Sequence, residues 1–281
     1  MLILEHSHDI IDRFSVWLRK EGKSANTVTT YQRELKKYQD WLQTKGLTLN
    51  ELSRNEVQSY INFLENQGRS PITNDKIFGA IRTFSKFLKR PDLTAEIEIK
   101  TAEKKNEIET LNNEQCESIL KKVREDANCR NTAIVYTLLH TGIRVSELCA
   151  LDRSDVDLEA KTLEVNTPTG AQRIIPLSEE ANDYLKTYIK ISQVKTALFV
   201  SRTNERLTER SIQYILKKFE VNPHKLRHTF CQRLVDKGVS IEIVSRLAGH
   251  KDINVTKRYI KPKVEQLALE EAIQKTFSKD R

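Results

Sequence analysis

The chain lacks the features that would mark it as secreted, membrane-embedded or held together by metal. Its 281 residues contain four cysteines, Cys116, Cys129, Cys149 and Cys231, with no close pair and no C-x-x-C spacing. Free thiols in a reducing compartment are therefore expected, rather than disulfides or zinc ligation. No apolar run is long enough to cross a bilayer, and no signal-peptide pattern opens the sequence. Internal repeats and low-complexity segments are missing as well. The expectation is a soluble, cytoplasmic protein of two domains or one large one. Negative charge is also in deficit, with 39 Asp and Glu against 47 Lys and Arg, a formal net charge of +8. Such an excess points to a polyanionic partner, nucleic acid first and an acidic membrane surface second. Residues 1–90 carry 15 basic and 10 acidic side chains and the remainder 32 and 29, so both parts are positive. That distribution suits one ligand gripped from two sides.

What is there is mostly helical periodicity. Ile10, Ile11, Phe14, Trp17 and Leu18 share a helical face, and Tyr31, Leu35, Tyr38 and Leu42 share another after the polar break Ser24-Ala25-Asn26-Thr27. A third pattern runs from Leu52 to Leu64 and ends at Asn66-Gln67-Gly68. Ser70-Pro71 starts a fourth, with Ile77, Ile81, Phe84 and Leu88 inward. Arg33, Lys36 and Lys37 lie opposite the apolar face of the second helix, and Arg82, Lys86 and Lys89 opposite that of the fourth. Such stripes are either solvated faces or a surface that tracks phosphates. From Arg90-Pro91 to about Thr110 the pattern dissolves into alternating Glu and Lys, an expected exposed linker. Helices are expected again at Asn113–Arg124, Asn131–His140, 178–191 and 208–219. Thr141-Gly142 is a stop, and Thr162–Val165 with Arg173–Ile175 read as a β-hairpin around Thr167-Pro168-Thr169-Gly170.

One stretch concentrates chemistry. His224-Lys225-Leu226-Arg227-His228, Leu247-Ala248-Gly249-His250 and Tyr259 fall within thirty-six residues. Asn222-Pro223 supplies an N-cap and a first-turn proline, so His224 and Arg227 share one face of a helix's first turn. Free backbone N–H groups there favour a phosphate. An arginine forks onto phosphate oxygens, a histidine moves a proton near neutral pH, and a tyrosine can be a covalent nucleophile. The same residues also fit an ordinary helical tail. Arg144, after Thr-Gly at a helix start with Glu147 three residues on, reads either as a cleft cation or as a surface helix pair.

The ordered set Arg144, His224-x-x-Arg227, His250, Tyr259 resembles the tyrosine recombinase (phage integrase) family. Thr141–Leu148 is similar to the segment holding that family's first catalytic arginine, His224–His228 to its H-x-L-R-H box, and Leu247–His250 to its L-G-H box. Tyr259 falls at the place of its nucleophile. Thr27–Leu42 and Ile72–Leu88 resemble the helices that clasp the duplex. The resemblance implies a mainly α fold with a small antiparallel β-sheet, organised as a two-domain DNA clamp. The expected parts are a helical core-binding domain at 1–90, a linker at 91–110, and a catalytic domain at 111–281 ending in an exchange helix at 264–281.

It also implies a site-specific recombinase that passes through a 3′-phosphotyrosyl bond and a Holliday junction at short inverted-repeat core sites, with no metal and no cofactor. Arg144 and Arg227 would clamp the phosphate, His224 would relay the proton of Tyr259, and His250 would hydrogen-bond the phosphate. Lys23, Thr27, Arg33, Lys36, Lys37, Arg69, Lys76, Arg82 and Lys86 would touch DNA. Four protomers would exchange the segment Val264–Phe277 cyclically, although its Leu269, Ile273 and Phe277 stripe also suits packing on its own chain. The length leaves no room for an arm-binding domain, so a simple-site recombinase or a cointegrate resolvase is expected. One position departs from the family: Pro168 stands where a lysine usually protonates the departing 5′-oxygen, and Lys161 is the nearest lysine in sequence. Two rivals follow, a non-cleaving architectural DNA-binding protein, which Pro168 favours, and a type IB topoisomerase.

Overall fold

A computed structural model describes residues 2–100, 108–166, 172–192 and 195–260, with only the backbone described for 2–9. Pro168 and the segment 264–281 lie outside the described residues. The chain divides into two compact units, residues 1–105 and 106–281.

The first unit is built from α1 (Leu2–Lys20), α2 (Ala25–Gln43), α3 (Arg54–Asn66) and α4 (Pro71–Phe87). Each of the last three begins where a serine can cap it. The Ser24 hydroxyl accepts from Thr27 N, Ser53 and Glu56 form a reciprocal capping box, and the Ser70 hydroxyl accepts from Thr73 N ahead of Pro71. The apolar faces then meet. Phe14, Leu18, Leu35, Tyr38, Leu42, Ile61 and Phe84 are buried together, with the Phe14 and Phe84 rings edge to face at 5.2 Å. Each such side chain contributes about 1.5–3 kcal/mol of burial.

Residues 91–100 differ from the exposed linker expected there. Pro91–Thr94 makes a 3₁₀ turn that buries Leu93, and Ile97 and Ile99 pack on the bundle. The Gln58 side-chain amide donates to Glu98 O and accepts from Glu98 N, both at 2.9 Å. Lys100 N donates to Glu65 Oε1 at 2.9 Å. Three spaced apolar side chains and one bidentate amide are enough to dock a segment whose composition is that of a linker.

The second unit is centred on α6 (Cys129–Thr141), which is buried on nearly every side and follows α5 (Asn113–Glu125). Gly142 ends α6 with φ +62, and a Cβ there would lie 2.2 Å from the Phe230 ring, so both conformation and space require glycine. Next come α7 (Val145–Ala150) and an antiparallel sheet of β1 (Val156–Asp157), β2 (Thr162–Asn166) and β3 (Gln172–Pro176), in that order. Leu163 pairs with Ile175 and Val165 with Arg173, which puts the guanidinium of Arg173 at a fixed height on the hairpin. The remaining α-helices among the described residues are α8 (Glu179–Ser192), α9 (Glu209–Lys217), α10 (Pro223–Asp236), α11 (Ile241–Ala248) and α12 (Asn254–Lys257). A small satellite core of Phe230, Cys231, Val244, Ala248 and Tyr259 joins α10, α11 and the turn after α12.

Candidate active site

The site begins at the turn that stops α6. Arg144 is the N-cap residue of α7, and its N–H donates to Glu147 Oε2 at 2.8 Å. Its guanidinium reaches Glu147 Oε1 at 3.1 Å and Gly249 O at 2.7 Å. From β3, Arg173 gives Glu147 two bonds, of 3.0 and 2.7 Å, and its Nε donates to Leu247 O at 2.8 Å. Burial pushes the Glu147 carboxyl up, but the Arg173 hydrogen bond, the Arg144 N–H and both cations bring it below its ordinary value. Glu147 is thus an ionised hub that holds Arg144 at the start of its own helix and Arg173 on β3. Gly249, at φ +68, lies so close that a Cβ would sit 2.9 Å from the Arg173 guanidinium.

The second group stands on α10. Asn222 caps it by accepting from Lys225 N at 2.9 Å, with Pro223 in the first turn. His224, Arg227, His228 and Cys231 then fall on one face, at spacings of three, four and seven. Arg227 is 6% exposed, and its Nη1 donates to Gly142 O at 2.5 Å. Burial lowers its pKa, and the charge of Arg144 lowers it further. Among the described residues no carboxylate lies within ion-pair distance of Arg227. A buried cation left in this way calls for an anion from outside.

Tyr259 completes the site. It is 1% exposed, and its Oη lies 2.6 Å from Nδ1 of His228. Burial raises its pKa, with the Cys231 thiol adding to the effect and Arg227 and Arg258 opposing it. The His250 ring lies nearly parallel to that of Tyr259, at 6.4 Å between centroids, and its Nδ1 is within 2.7 Å of Thr256 Oγ1. His250 is pulled down to about 4, first by burial and then by Arg227 and Arg144. It is therefore neutral near pH 7. His224 is exposed, its ring 6.4 Å from that of His228.

The fold gathers Arg144, Arg227, His250 and Tyr259 and sets His224 at the rim. The tyrosine hydroxyl lies within hydrogen-bond distance of His228 rather than of the His224 expected to relay its proton. Sequence reasoning placed neither His228 nor Arg173 in the site. The spacing of four from His224 was a usable signal for His228, whereas Arg173 finds its partner only through the sheet. Lys161, the nearest lysine in sequence to the hairpin turn, pairs with Glu179 at 2.6 Å.

The residues expected to touch DNA fall into two groups. Lys23, Lys36, Lys76, Arg82 and Lys86 are exposed, with Arg82 lying 4.6 Å over the Phe78 ring. Arg69 is partly exposed. Arg33 and Lys37 hold the buried Glu34 carboxylate at 2.9 and 3.1 Å, and Thr27 shares a hydrogen bond with the capping Ser24. Among the described residues no cluster of His, Cys, Asp and Glu is arranged to hold a metal, and no helix is long and apolar enough to cross a membrane.

Comparison with known proteins covers both units. The family model described as "Phage integrase family" matches residues 109–266, and "Phage integrase, N-terminal SAM-like domain" matches residues 11–92. The chain is 31% identical over 273 residues to tyrosine recombinase XerD of Oceanobacillus iheyensis, covering 89% of this chain and 92% of the relative. It is 31% identical over 278 residues to TnP I resolvase of Bacillus thuringiensis, covering 92% and 97%. In fold it is similar to the Tn1549 transposon integrase solved in complex with circular intermediate DNA. The TM-score is 0.74 at 19% identity, over 94% of this chain and 99% of the other.

Proposed function

Because the chain belongs to the phage integrase family, the tyrosine recombinases, we propose that it is a site-specific DNA recombinase with Tyr259 as its nucleophile. The observation that carries the reading is the buried Arg227 guanidinium, which has no carboxylate within ion-pair distance among the described residues. A scissile phosphate is the anion that fits it, with Arg144 as the second arm of the clamp. Tyr259 Oη attacks phosphorus, forming a 3′-phosphotyrosyl bond and releasing a 5′-hydroxyl. The two guanidiniums stabilise the charge that builds on the non-bridging oxygens. His250, neutral near pH 7, hydrogen-bonds one of those oxygens, and exposed His224 is free to approach the phosphate from the rim. The covalent bond conserves the phosphodiester energy, and attack by a foreign 5′-hydroxyl completes strand exchange.

In this reading residues 1–90 and 111–281 are the core-binding and catalytic domains of a DNA clamp. The exposed lysines and arginines of α2 and α4 track the backbone of the duplex. Four protomers assemble on two duplexes and exchange the segment 264–281, and the reaction takes place in the cytoplasm, where the four thiols stay reduced. The biological task in this reading is integration, excision or resolution, which relatives named as recombinases and as a resolvase support.

The test is covalent capture. Nicked duplexes with a randomised core are incubated with the wild-type chain, and protein–DNA adducts are recovered under denaturing conditions and sequenced. Wild type is expected to retain a defined core sequence and Tyr259→Phe to retain none. Equal adduct from the two chains would overturn the reading. Two copies of the captured core placed on one plasmid then separate a recombinase, which deletes or inverts the interval, from a topoisomerase, which only relaxes it.

A further inference from the structure

We propose that His228 is the general base of the reaction: its Nδ1 takes the proton of Tyr259 Oη as the bond to phosphorus forms. The inference rests on the recombinase reading and adds to it the group that activates the nucleophile. Nδ1 of His228 stands 2.6 Å from Oη, within direct transfer distance. The imidazole sits one residue after Arg227 on the same helix, so the base and the phosphate clamp are held by one rigid element.

The other groups near the hydroxyl are less suited. The His250 ring lies 6.4 Å from the Tyr259 ring between centroids, and its Nδ1 is engaged with Thr256 Oγ1 at 2.7 Å. His224 is exposed, its ring 6.4 Å from that of His228, whose own ring lies 5.9 Å from that of Tyr259. Cys231 is a neutral thiol whose pKa is pushed up by burial, and a neutral thiol is a weak proton acceptor.

Burial first, then His224, Arg227 and Arg258, hold the pKa of His228 below its ordinary value, so its imidazole is neutral and able to accept a proton near pH 7. The charged and titratable groups around it are Tyr259, His224, His250, Arg227 and Arg258. The cations oppose a second positive charge, and an incoming phosphate reverses that local field. Proton transfer is thereby coupled to substrate binding. Accepting at Nδ1 places the imidazole hydrogen on Nε2.

The step balances as follows. Oη bonds to phosphorus, its proton goes to Nδ1, and the bond from phosphorus to the 5′-oxygen breaks. That oxygen leaves as a hydroxyl with a proton drawn from water. In religation the attacking 5′-hydroxyl gives its proton to solvent, the bond from phosphorus to Oη breaks, and the His228 imidazolium returns its proton to Oη.

Two measurements on the full chain decide the matter. In the ¹⁵N spectrum of histidine-labelled free protein, Nδ1 of His228 is expected to show the shift of an unprotonated ring nitrogen; a protonated Nδ1 would overturn the inference. In single-turnover cleavage of the captured duplex, His228→Gln keeps hydrogen-bonding capacity but cannot carry the proton. It is expected to form the Tyr259 adduct about 100-fold more slowly than wild type, within the usual range for general base catalysis. It should also lose the acid limb of the wild-type pH–rate profile, while binding the duplex as tightly. His228→Ala should regain rate in proportion to added imidazole. A His228→Gln rate within threefold of wild type, or an unchanged acid limb, overturns the inference and leaves the recombinase reading standing. A wild-type chain that forms no tyrosine adduct overturns both.

Discussion

Arg173 and Glu147 meet fork to fork across 26 residues of sequence, with two hydrogen bonds of 3.0 and 2.7 Å between side chains that are 9% and 6% exposed. The pair ties the hairpin to the start of α7 and, through Arg173 Nε, to Leu247 O ahead of the second glycine turn. Arg144 shares the same carboxylate, so its aim depends on a residue that need not touch substrate.

Removing one member of this pair is therefore expected to cost both stability and activity. Arg173→Met leaves an ionised carboxylate facing Arg144 alone, a loss on the order of 3–5 kcal/mol for a broken buried pair. Urea unfolding and single-turnover cleavage measured on the same preparation check it. A variant as stable as wild type would show that the pair is not structural. The acid side supplies a further check, because the folded carboxyl titrates below its unfolded value. Its contribution is present above about pH 4.3 and is lost as pH falls through the lower folded value. Glu147→Gln should flatten that part of the stability profile.

Arg227 predicts the opposite balance. Its guanidinium is buried with no carboxylate within ion-pair distance among the described residues, so the fold carries a desolvation cost that the Gly142 O hydrogen bond offsets in part and a bound phosphate would offset further. Arg227→Met is expected to unfold at a temperature equal to or above that of wild type, while cleavage falls by about 100- to 1000-fold. Thermal unfolding paired with adduct formation decides it. A marked drop in melting temperature would mean that the charge is satisfied within the fold.

His250 governs a separate window. Unfolded, its imidazole titrates near the ordinary value of about 6.5, and in the fold it is held at about 4. Between those values the unfolded chain binds a proton that the native chain refuses, so stability falls as pH is lowered from about 6.5 towards 4. His250→Asn should lose melting temperature less steeply than wild type over this range. Parallel curves for the two proteins would show that His250 does not titrate as described.

The basic residues of the first unit separate by salt dependence. Lys36 and Lys86 are exposed, whereas Arg33 and Lys37 are committed to Glu34. If Lys36 and Lys86 each meet a phosphate, alanine at either position reduces the slope of log affinity against log salt by about 0.9. Alanine at Arg33 should alter the slope less. Fluorescence anisotropy at several salt concentrations measures both, and equal slopes for all four proteins would remove Lys36 and Lys86 from the interface.

What could be read directly from the sequence was local. Ser70-Pro71, Asn222-Pro223 and Thr141-Gly142 mark helix ends because caps, first-turn prolines and left-handed glycines act within a few residues. The hairpin was legible from alternation, and its strands pair with Leu163 opposite Ile175. The unread parts depend on partners distant in sequence. Arg173 finds Glu147 only after the sheet and α7 come together. Residues 91–100 dock through Leu93 and the Gln58 amide, neither of which makes a periodic signal. The two-residue β1 is too short to carry any pattern. His228 lay within the motif, yet its role depends on which way Tyr259 turns after α12.

The turn from Gly142 to Arg144 has a consequence for protein engineering. Gly142 supplies the carbonyl that receives Arg227, and Arg144 itself stands two residues later. The spacing between the two guanidiniums is thus written into backbone length. Chimaeras assembled from related chains should place their junctions outside residues 138–147. An insertion of even one residue there would separate the two cations without altering a single side chain.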